Sequence, residues 1–191
     1  MGRVSQAQAE ENRQRVVQTA SRLFRERGTQ VSVADLMKEA GLTHGGFYKQ
    51  FASKDALVDE ATAHAFAELT RRHQDDLAEH AGQRDVAQRA LLDTYLSVEH
   101  RDSAADGCPA AALVTDMARA GTDPEHADGE ARRVYAQGVA DLADWLATDD
   151  QDGITRLCTM LGALVLARAT KGSPQSEEIL AAAHAALTEG H

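Results

Sequence analysis

The stretch from Val31 to Lys54 reads VSVADLMKEAGLTHGGFYKQFASK, and its pattern predicts two short helices joined by a tight turn. Ser32 is placed to cap the first helix, and Asp35 follows in its first turn, near the positive end of the helix dipole. Gly41 suits the turn because glycine adopts a positive φ without strain. Two short helices at such a turn indicate a helix-turn-helix, whose second helix enters the major groove of DNA.

The second predicted helix, HGGFYKQ from His44 to Gln50, contains two adjacent glycines. Each costs about 1 kcal/mol relative to alanine inside a helix. A loop followed by a helix from Phe47 is one interpretation of this pair. The other is a DNA-reading helix whose glycines let its backbone approach a groove wall, with Phe47 and Phe51 facing inward.

The side chains around these glycines have the polar and aromatic character that DNA contacts require. Thr43 is expected to cap the second helix and, with His44, to face base edges, while Tyr48 and Lys49 reach phosphates. The residues predicted to contact DNA are Ser32, Thr43, His44, Gly45, Tyr48, Lys49 and Lys54.

This block resembles the N-terminal DNA-binding domain of the TetR family of bacterial transcriptional regulators. The resemblance runs from about Arg13 to Asp59 and includes VVQTASRLFRERG, the helix-turn-helix itself and the helix start at Ser53. It implies a ligand-responsive regulator, most simply a repressor. In such a regulator a homodimer binds pseudo-palindromic double-stranded operator DNA and an unidentified small molecule releases it. An activator of the same fold and an architectural DNA-binding protein without a ligand are the alternatives.

Composition favours an all-α protein independently of that resemblance, because the 191 residues include only three prolines and 4% aromatic residues. The length accommodates a helix-turn-helix DNA-binding domain at 1–55 and a helical ligand-binding and dimerisation domain at 56–191. About nine helices are expected. Outside the helix-turn-helix they fall at 6–27, 54–79, around 91–98, from Pro109, from about Glu125, at 151–171 and at 175–188, with a polar break at 100–107.

The net charge of −10 is unevenly distributed along the chain. Residues 1–55 hold nine Lys and Arg against six Asp and Glu, a net charge of +3, whereas residues 56–191 hold eleven against twenty-four, a net charge of −13. The positive charge lies where DNA is predicted to bind, and the acidic remainder disfavours other orientations on phosphate. A protein that coats DNA nonspecifically is expected to be basic throughout, so the pattern disfavours that class.

The segment 151–171 is apolar almost all round, which is typical of a helix that is central in a core or shared with a partner. The family resemblance implies that the last two helices pair with those of a second subunit in a four-helix bundle. Leu164→Asp, or Leu187→Asp if the last helix is the closer face, is therefore expected to give a folded monomer with greatly weakened operator binding. The predicted interface residues are Leu157, Leu161, Leu164, Ile179, Ala183 and Leu187.

The resemblance also implies a small-molecule pocket in the helical body, linked to the DNA-binding domain by the long helix at 54–79. The low aromatic content and the negative charge of the body favour an aliphatic or cationic compound, although exposed acidic residues explain that charge equally well. The residues predicted to line the pocket, each also acceptable as ordinary core, are Phe66, Tyr95, Cys108, Met117, Tyr135 and Trp145.

Cys108 and Cys158 are far apart in sequence, and both are expected to be free thiols. Cys108 lies between Gly107 and Pro109 at a predicted helix start, where N–H groups and the helix dipole stabilise a thiolate. It is either a sensor of oxidants or electrophiles or a small buried residue under the helix. A redox-responsive regulator acting through Cys108 is therefore a further alternative.

No pattern in the sequence indicates catalysis. His73 and His80 lie seven residues apart without a His-Glu-x-x-His motif, so we interpret them as surface histidines rather than metal ligands. No glycine-rich phosphate loop follows a strand. We expect no enzymatic activity, no metal and no cofactor. No signal peptide or membrane-spanning apolar run is seen, which predicts a cytoplasmic protein without a membrane partner.

Overall fold

The computed structural model describes residues 6–123, 129–149 and 151–188. All regular structure in these ranges is helical, with nine α-helices and one short 3-10 helix, which confirms the expected all-α fold. The elements are α1 Gln6–Arg27, α2 Val33–Glu39, the 3-10 helix His44–Lys49, α3 Lys54–Glu79, α4 Arg84–Tyr95, α5 Val98–Asp102, α6 Pro109–Ala120, α7 Glu130–Leu146, α8 Gly153–Ala169 and α9 Pro174–Thr188.

Short polar side chains start the helices that surround the turn. The Ser32 hydroxyl accepts a hydrogen bond from the N–H of Asp35 at 3.1 Å, as the sequence predicts. The Ser53 hydroxyl does the same for the N–H of Ala56 at the start of α3, also at 3.1 Å. Each cap satisfies an N–H group that has no partner within the helix, and so fixes where α2 and α3 begin.

The body differs from the prediction at two helix boundaries. The predicted polar break at 100–107 overlaps a short helix, α5, which ends at Asp102. Ser97 caps the start of this helix by accepting a hydrogen bond from the N–H of His100 at 3.1 Å. The helix predicted from about Glu125 begins at Glu130 in the described residues, and residues 124–128 lie outside them.

Two apolar clusters organise the chain. The first holds α1, α2 and the 3-10 helix together, and we call these three elements the N-terminal unit. Leu36, Met37 and Phe47 have no exposed surface at its centre. Leu113 and Met117 of α6 belong to the same cluster, so the N-terminal unit packs directly against the body. The second cluster lies among α3 to α9.

Helix α3 takes part in both clusters. Leu57 and Ala61, in its first two turns, pack with the N-terminal unit, whereas Phe66 packs in the body. The helix runs for 26 residues without interruption. A rotation or shift of α3 in the body would therefore also move the residues of α3 that pack with the N-terminal unit.

Two glycines allow helices of the body to approach closely. A Cβ atom on Gly138 of α7 would lie 2.2 Å from Cδ1 of Phe66 on α3. A Cβ atom on Gly153, the first residue of α8, would lie 1.9 Å from the carbonyl oxygen of Ala143 on α7. Both distances are far below van der Waals contact, so these packings depend on glycine.

The surface available for dimerisation differs from the predicted one. Leu157, Leu164 and Leu187 are 4%, 0% and 4% exposed within the protomer and pack in its own core, as does Ala183. Leu161 and Ile179 are partly buried against the same core. The expectation that Leu164→Asp leaves a folded monomer is therefore wrong, because the carboxylate would be buried without a partner.

Helix α8 nevertheless keeps one apolar face exposed. Ile154 and Leu166 are 63% and 55% exposed, and the thiol of Cys158 is exposed on the same side. Gly162 lies at the centre of this face by helical spacing. Among the described residues, no helix combines the length and the apolar character needed to span a membrane.

Candidate DNA-binding surface and ligand cavity

The turn between α2 and the 3-10 helix has the predicted geometry. Gly41 adopts φ of +70°, the left-handed region that favours glycine. The N–H of Leu42 donates to the carbonyl of Met37 at 2.8 Å, and the N–H of Gly41 donates to that of Lys38 at 3.1 Å. These bonds close the end of α2 and set the direction in which the next segment leaves.

The segment after the turn is a 3-10 helix rather than the predicted α-helix. The N–H of Gly46 donates to the carbonyl of Thr43 at 2.9 Å, and the N–H of Gln50 donates to that of Phe47 at 2.8 Å. The Thr43 side chain makes no capping hydrogen bond, so its predicted capping role is wrong. Two adjacent glycines lower the helix propensity of this segment, which is consistent with the tighter form.

The fold itself requires neither of these glycines. A Cβ atom on Gly45 would have no neighbour within 4 Å, and one on Gly46 would meet its nearest atom, Cε of Met37, at an ordinary 3.6 Å. Both glycines have negative φ. Alanine would fit the protomer and favour a helix by about 1 kcal/mol at each position. A molecule outside the protomer can therefore come close to the backbone at these two glycines.

The side chains around the glycines form an exposed polar and aromatic surface. Tyr48 is 67% exposed, and the ring of His44 lies edge-on to it with centroids 6.2 Å apart. Lys49 is exposed beside them. Phe47 and Phe51 face inward as predicted, 0% and 4% exposed, and their rings stack with centroids 5.4 Å apart. A buried aromatic pair thus supports the exposed surface from below.

Two of the predicted DNA contacts lie away from the 3-10 helix. The Ser32 hydroxyl caps α2 and also donates to Oδ2 of Asp35 at 2.6 Å. Lys54 is half-buried and lines a crevice of about 340 Å³ together with Asp55 and Asp116. Thr43, His44, Gly45, Tyr48 and Lys49 are exposed together around the 3-10 helix.

Arg13 on α1, considered as a contact to flanking phosphates, is held by neighbouring side chains. Its guanidinium lies 2.5 Å from Oε1 of Glu60 and 5.0 Å from the ring centroid of Phe51. Arg15, on the exposed side of α1, pairs with Glu11 at 3.3 Å. Both arginines therefore pair with carboxylates of the protomer, whereas Lys49 is exposed beside the 3-10 helix.

A cavity of about 310 Å³ opens in the body between α3, α4 and the start of α6. Tyr95 and Cys108, both predicted to line a pocket, line this one. Phe66 and Trp145 line an adjoining hollow of about 270 Å³ that shares Leu69, His73 and Leu142 with the cavity. The body therefore has an apolar enclosure of the size that small ligands occupy.

The other predicted lining residues lie elsewhere. Met117 lines the crevice beside Lys54, because the far end of α6 packs on the N-terminal unit. The hydroxyl of Tyr135 donates a hydrogen bond to the carbonyl of Ala110 at 2.7 Å, and its ring packs edge-on against Phe66. Neither residue is among those that line the 310 Å³ cavity.

His73 lines the cavity although the sequence predicts a surface histidine. Its side chain is 6% exposed and stacks on Trp145 with ring centroids 4.4 Å apart. Burial, reinforced by the positive charge of Arg72, lowers the pKa of His73 from 6.5 to about 4. Its Nε2 atom has no hydrogen-bond partner among the described residues. His80 is half-buried, and its Nδ1 donates to the carbonyl of Asp76 at 2.7 Å.

Tyr95, His100 and Cys108 form a second buried polar group in the cavity wall. The N–H of Cys108 donates to Nε2 of His100 at 3.3 Å, and Nδ1 of His100 donates to the carbonyl of Tyr95 at 2.7 Å. Burial raises the pKa of Tyr95 well above 10, and the neighbouring Cys108 adds to the effect. Burial likewise lowers the pKa of His100. At neutral pH the hydroxyl of Tyr95 and the imidazole of His100 are therefore uncharged.

Two arginines tie the edge of the cavity to α1 and to α3. Arg25 of α1, with a side chain 2% exposed, donates to the carbonyl of Gly107 at 3.3 Å and pairs with Glu68 of α3 at 3.1 Å. Arg72 donates to the carbonyl of Asp106 at 2.7 Å and pairs with the same Glu68 at 3.0 Å. The segment before Cys108 is thus hydrogen-bonded directly to α1.

The buried state of His73 has a measurable consequence for stability. Because its pKa falls from 6.5 to about 4 on folding, the unfolded chain binds more protons between these values, and acid destabilises the fold. From pH 7 to 5 the free energy of unfolding should fall by about 2 kcal/mol more in wild type than in His73→Phe. Urea unfolding at both pH values measures this. A loss of stability in His73→Phe equal to that of wild type would contradict the assignment.

Comparison with known proteins places the chain among related folds. Residues 16–61 match the model of bacterial regulatory proteins of the tetR family. No curated protein sequence matches the chain. The reduced form of NemR from E. coli shares 19% sequence identity, with a TM-score of 0.72 over 93% of this chain and 96% of that chain.

Two further solved structures show the same likeness. A TetR transcriptional regulator from Chloroflexus aurantiacus is 22% identical, with a TM-score of 0.70 over 95% of this chain and 94% of that chain. AibR, solved in complex with isovaleryl coenzyme A and operator DNA, is 15% identical, with a TM-score of 0.58 over 92% of this chain and 97% of that chain. The shared fold extends through the body as well as the N-terminal unit.

Proposed function

The chain belongs to the TetR family of bacterial transcriptional regulators, and from this we propose that it is a repressor whose homodimer binds a pseudo-palindromic operator and is released by a small molecule. Residues 1–55 form the proposed DNA-binding domain, and residues 56–191 form the proposed ligand-binding and dimerisation domain. AibR supports this combination, because its complex holds both an acyl-coenzyme A and operator DNA on the same fold. We propose that the chain has no catalytic activity.

The observation that carries the DNA-binding part is the surface of the 3-10 helix. Tyr48, His44 and Lys49 are exposed around glycines that the protomer does not require. Hydroxyl, imidazole and ammonium groups supply hydrogen bonds to bases and phosphates, and glycine lets the backbone approach the groove. Of the predicted contacts we retain Thr43, His44, Gly45, Tyr48 and Lys49 as direct, and we assign Ser32 to capping.

We assign dimerisation to the exposed face of α8. A glycine inside a helix costs up to about 1 kcal/mol relative to alanine, yet a Cβ atom added to Gly162 would meet no packing neighbour in its own protomer within 4 Å. Close approach of a second helix explains that glycine. Ile154 and Leu166 flank it with exposed apolar surface, which an isologous dimer would cover. Helix α9, with its exposed alanines, completes the proposed bundle.

We assign effector binding to the 310 Å³ cavity and the transmission of its signal to α3 and Arg25. The cavity is lined by α3 at Leu69 to Asp76, and the same helix reaches the N-terminal unit at Leu57. Arg25 bonds the cavity edge at Gly107. A ligand that prefers a shifted α3 would change the spacing of the two reading surfaces, with a typical coupling of about 1–3 kcal/mol.

Substitutions on the reading surface test the DNA contacts. Lys49→Ala is expected to weaken binding to operator and unrelated DNA alike and to lower the log-log salt slope by about 1, because a phosphate contact carries no sequence information. His44→Ala should instead change the preferred bases by about 1–3 kcal/mol at the affected position. Fluorescence anisotropy over a salt series measures both effects.

Lys171→Ala is the matched control, because its ammonium pairs with Asp102 in the body at 3.0 Å. This variant should bind DNA as wild type does. Unchanged operator binding in both Lys49→Ala and His44→Ala would show that the reading surface lies elsewhere.

A second candidate function is a redox- or electrophile-responsive regulator acting through Cys108. The supporting observation is its place in the cavity wall, at the N-cap of α6 beside the hydroxyl of Tyr95. Access would be through the cavity, since the residue is only 3% exposed. Peroxide would oxidise the thiol to a sulfenic acid, with reduction of the peroxide to water, and the larger polar group would strain the wall.

This candidate predicts that peroxide releases operator from wild type and from Cys158→Ser but leaves Cys108→Ser bound. The Cys158→Ser control is needed because that thiol is exposed and reacts without involving the cavity. Operator binding before and after peroxide treatment, with the modified cysteine located by mass spectrometry, gives the measurement. Equal release of operator from Cys108→Ser would return Cys108 to a structural role.

A further inference from the structure

We propose that a small hollow beside the first turn of α8 binds a short-chain carboxylate from solution, with the negative charge held by Arg156. The hollow lies where α4, the connection that follows α7, the start of α8 and the end of α9 meet. It shares no lining residue with the 310 Å³ cavity that we assign to the effector. The inference therefore goes beyond the proposed function and adds a second binding site.

Arg156 carries a buried positive charge that the described residues do not neutralise. The residue is 3% exposed, and its Nη1 donates to the amide oxygen Oε1 of Gln151 at 2.7 Å. No carboxylate of the described residues forms an ion pair with its guanidinium. Burial lowers the pKa of Arg156, yet an arginine stays protonated at neutral pH. Because a buried charge without a counter-ion is strongly unfavourable, an anion in the hollow would be stabilising.

The three guanidinium nitrogens of Arg156 differ in their availability to a ligand. Nε is sealed from solvent and has no hydrogen-bond partner, so a ligand cannot reach it. Nη1 is used by Gln151. Nη2 has no hydrogen-bond partner in the described part of the chain and is not among the sealed atoms. Arg156 lines the hollow, so Nη2 is the donor that remains for an anion there.

The other polar residues of the lining also favour an anion. Arg89 is exposed and has no ion pair within the described ranges. The hydroxyl of Thr148 accepts from the N–H of Gln151 at 3.0 Å, which leaves its own proton to donate. Asp85 is the one carboxylate among the lining residues, and it is exposed. Two arginines against one aspartate give the lining a net positive charge, which attracts an anion.

The size of the hollow restricts the anion to a short-chain carboxylate. Its volume is about 50 Å³, whereas one water needs roughly 10–15 Å³, so there is room for a carboxylate and a methyl group. Leu92 and Leu187 provide an apolar wall for the methyl group. A hydrogen bond between a guanidinium and a carboxylate is about twice as strong as one between neutral groups. Acetate should therefore bind, and the neutral acetamide of nearly the same shape should not.

Thermal unfolding of the full chain with acetate or acetamide tests the preference for charge, at fixed protein concentration and ionic strength. The melting temperature should rise by about 3–5 °C for each tenfold increase in acetate above its dissociation constant. Acetamide should produce no such rise. Because salts also stabilise proteins nonspecifically, the rise that persists in Arg156→Met measures that contribution and is subtracted.

Arg156→Met replaces the guanidinium with an apolar side chain and should weaken acetate binding at least tenfold in an NMR titration. Without acetate its melting temperature should equal or exceed that of wild type, because an uncompensated buried charge is removed. A purely structural role for Arg156 would instead give a lower melting temperature without acetate. Arg71→Met, on the exposed surface of α3 outside the hollow, is the matched control and should bind acetate as wild type does. Arg89→Gln should also weaken acetate binding, and it keeps the test available if Arg156→Met folds poorly.

A carboxylate of the chain itself is the alternative source of the negative charge, because Asp150 and Glu189 lie close in sequence to Thr148 and Thr188 of the lining. The double substitution Asp150→Asn, Glu189→Gln should leave the acetate response as it is in wild type. A response that appears only in this double variant would show that the chain fills the hollow, and the proposal would be overturned. Equal responses to acetate and acetamide, wild-type acetate affinity in Arg156→Met, or no saturable response of wild type would overturn it as well.

Discussion

A Leu166→Asp variant is expected to be a folded monomer that binds a full operator about 100-fold or more weakly than wild type, because linked half-site contacts lose their high effective concentration. Leu166 is 55% exposed on α8, so the new carboxylate is solvated in the isolated protomer. In a dimer that covers this face the same carboxylate is buried without a partner.

Light scattering after size exclusion, circular dichroism and operator titration on the same sample measure the three parts of this prediction. Val86→Asp is the matched control, since it introduces the same charge at an apolar residue that is 40% exposed on α4. It should remain dimeric with wild-type affinity. A dimeric Leu166→Asp protein with wild-type operator affinity would exclude this face of α8 from the interface.

Gly153→Ala is expected to lower the free energy of unfolding by about 3 kcal/mol, the upper end of the usual cost of overpacking. Its Cβ would lie 1.9 Å from the carbonyl oxygen of Ala143, a backbone atom that cannot rotate away. Helix α8 must therefore shift relative to α7, and their shared core shifts with it.

Gly162→Ala is the control for this effect, because it makes the same substitution in the same helix where the added Cβ atom would meet no packing neighbour within 4 Å. Urea unfolding of both variants in the Leu166→Asp background removes the contribution of dimerisation. There Gly162→Ala should match its parent or gain up to about 1 kcal/mol. Equal destabilisation by the two alanines would contradict the close packing of α7 against α8.

The helix-turn-helix could be predicted from sequence because its determinants are local. The cap of Ser32 and the positive φ of Gly41 depend on neighbours within a few residues. The 3-10 form of the second helix was not predicted. The sequence marks His44–Lys49 as a weak helix, but the choice between hydrogen-bonding patterns depends on how the segment packs.

The dimer face shows where periodicity stops being informative. A helix that is apolar all round gives no indication of which side its own chain covers. Leu164 and Leu166 have the same side chain and lie two residues apart, yet the first is 0% exposed and the second 55%. Only the positions of α7 and α9 against α8 decide between them, and these depend on contacts distant in sequence.

Only part of the cavity lining was predicted, again because the lining depends on contacts that are distant in sequence. Tyr95 and Cys108 line it as expected, but Met117 and Tyr135 do not. His73 was missed because its burial depends on Trp145, which lies on another helix and stacks on its ring. A histidine on an amphipathic helix carries no local signal of such a partner. The full set of residues that line the cavity can therefore be identified only from the folded structure.

Selection of bound duplexes from a random-sequence library tests the central claim most directly, that a dimer of this chain reads operator DNA through two copies of the 3-10 helix surface. The account predicts enriched sequences with two inverted half-sites whose centres lie about one helical turn apart, roughly 10 base pairs, or a multiple of it. Reselection with His44→Ala should alter the same positions in both half-sites. Failure to enrich any sequence, or enrichment of a single unrepeated half-site, would contradict the account.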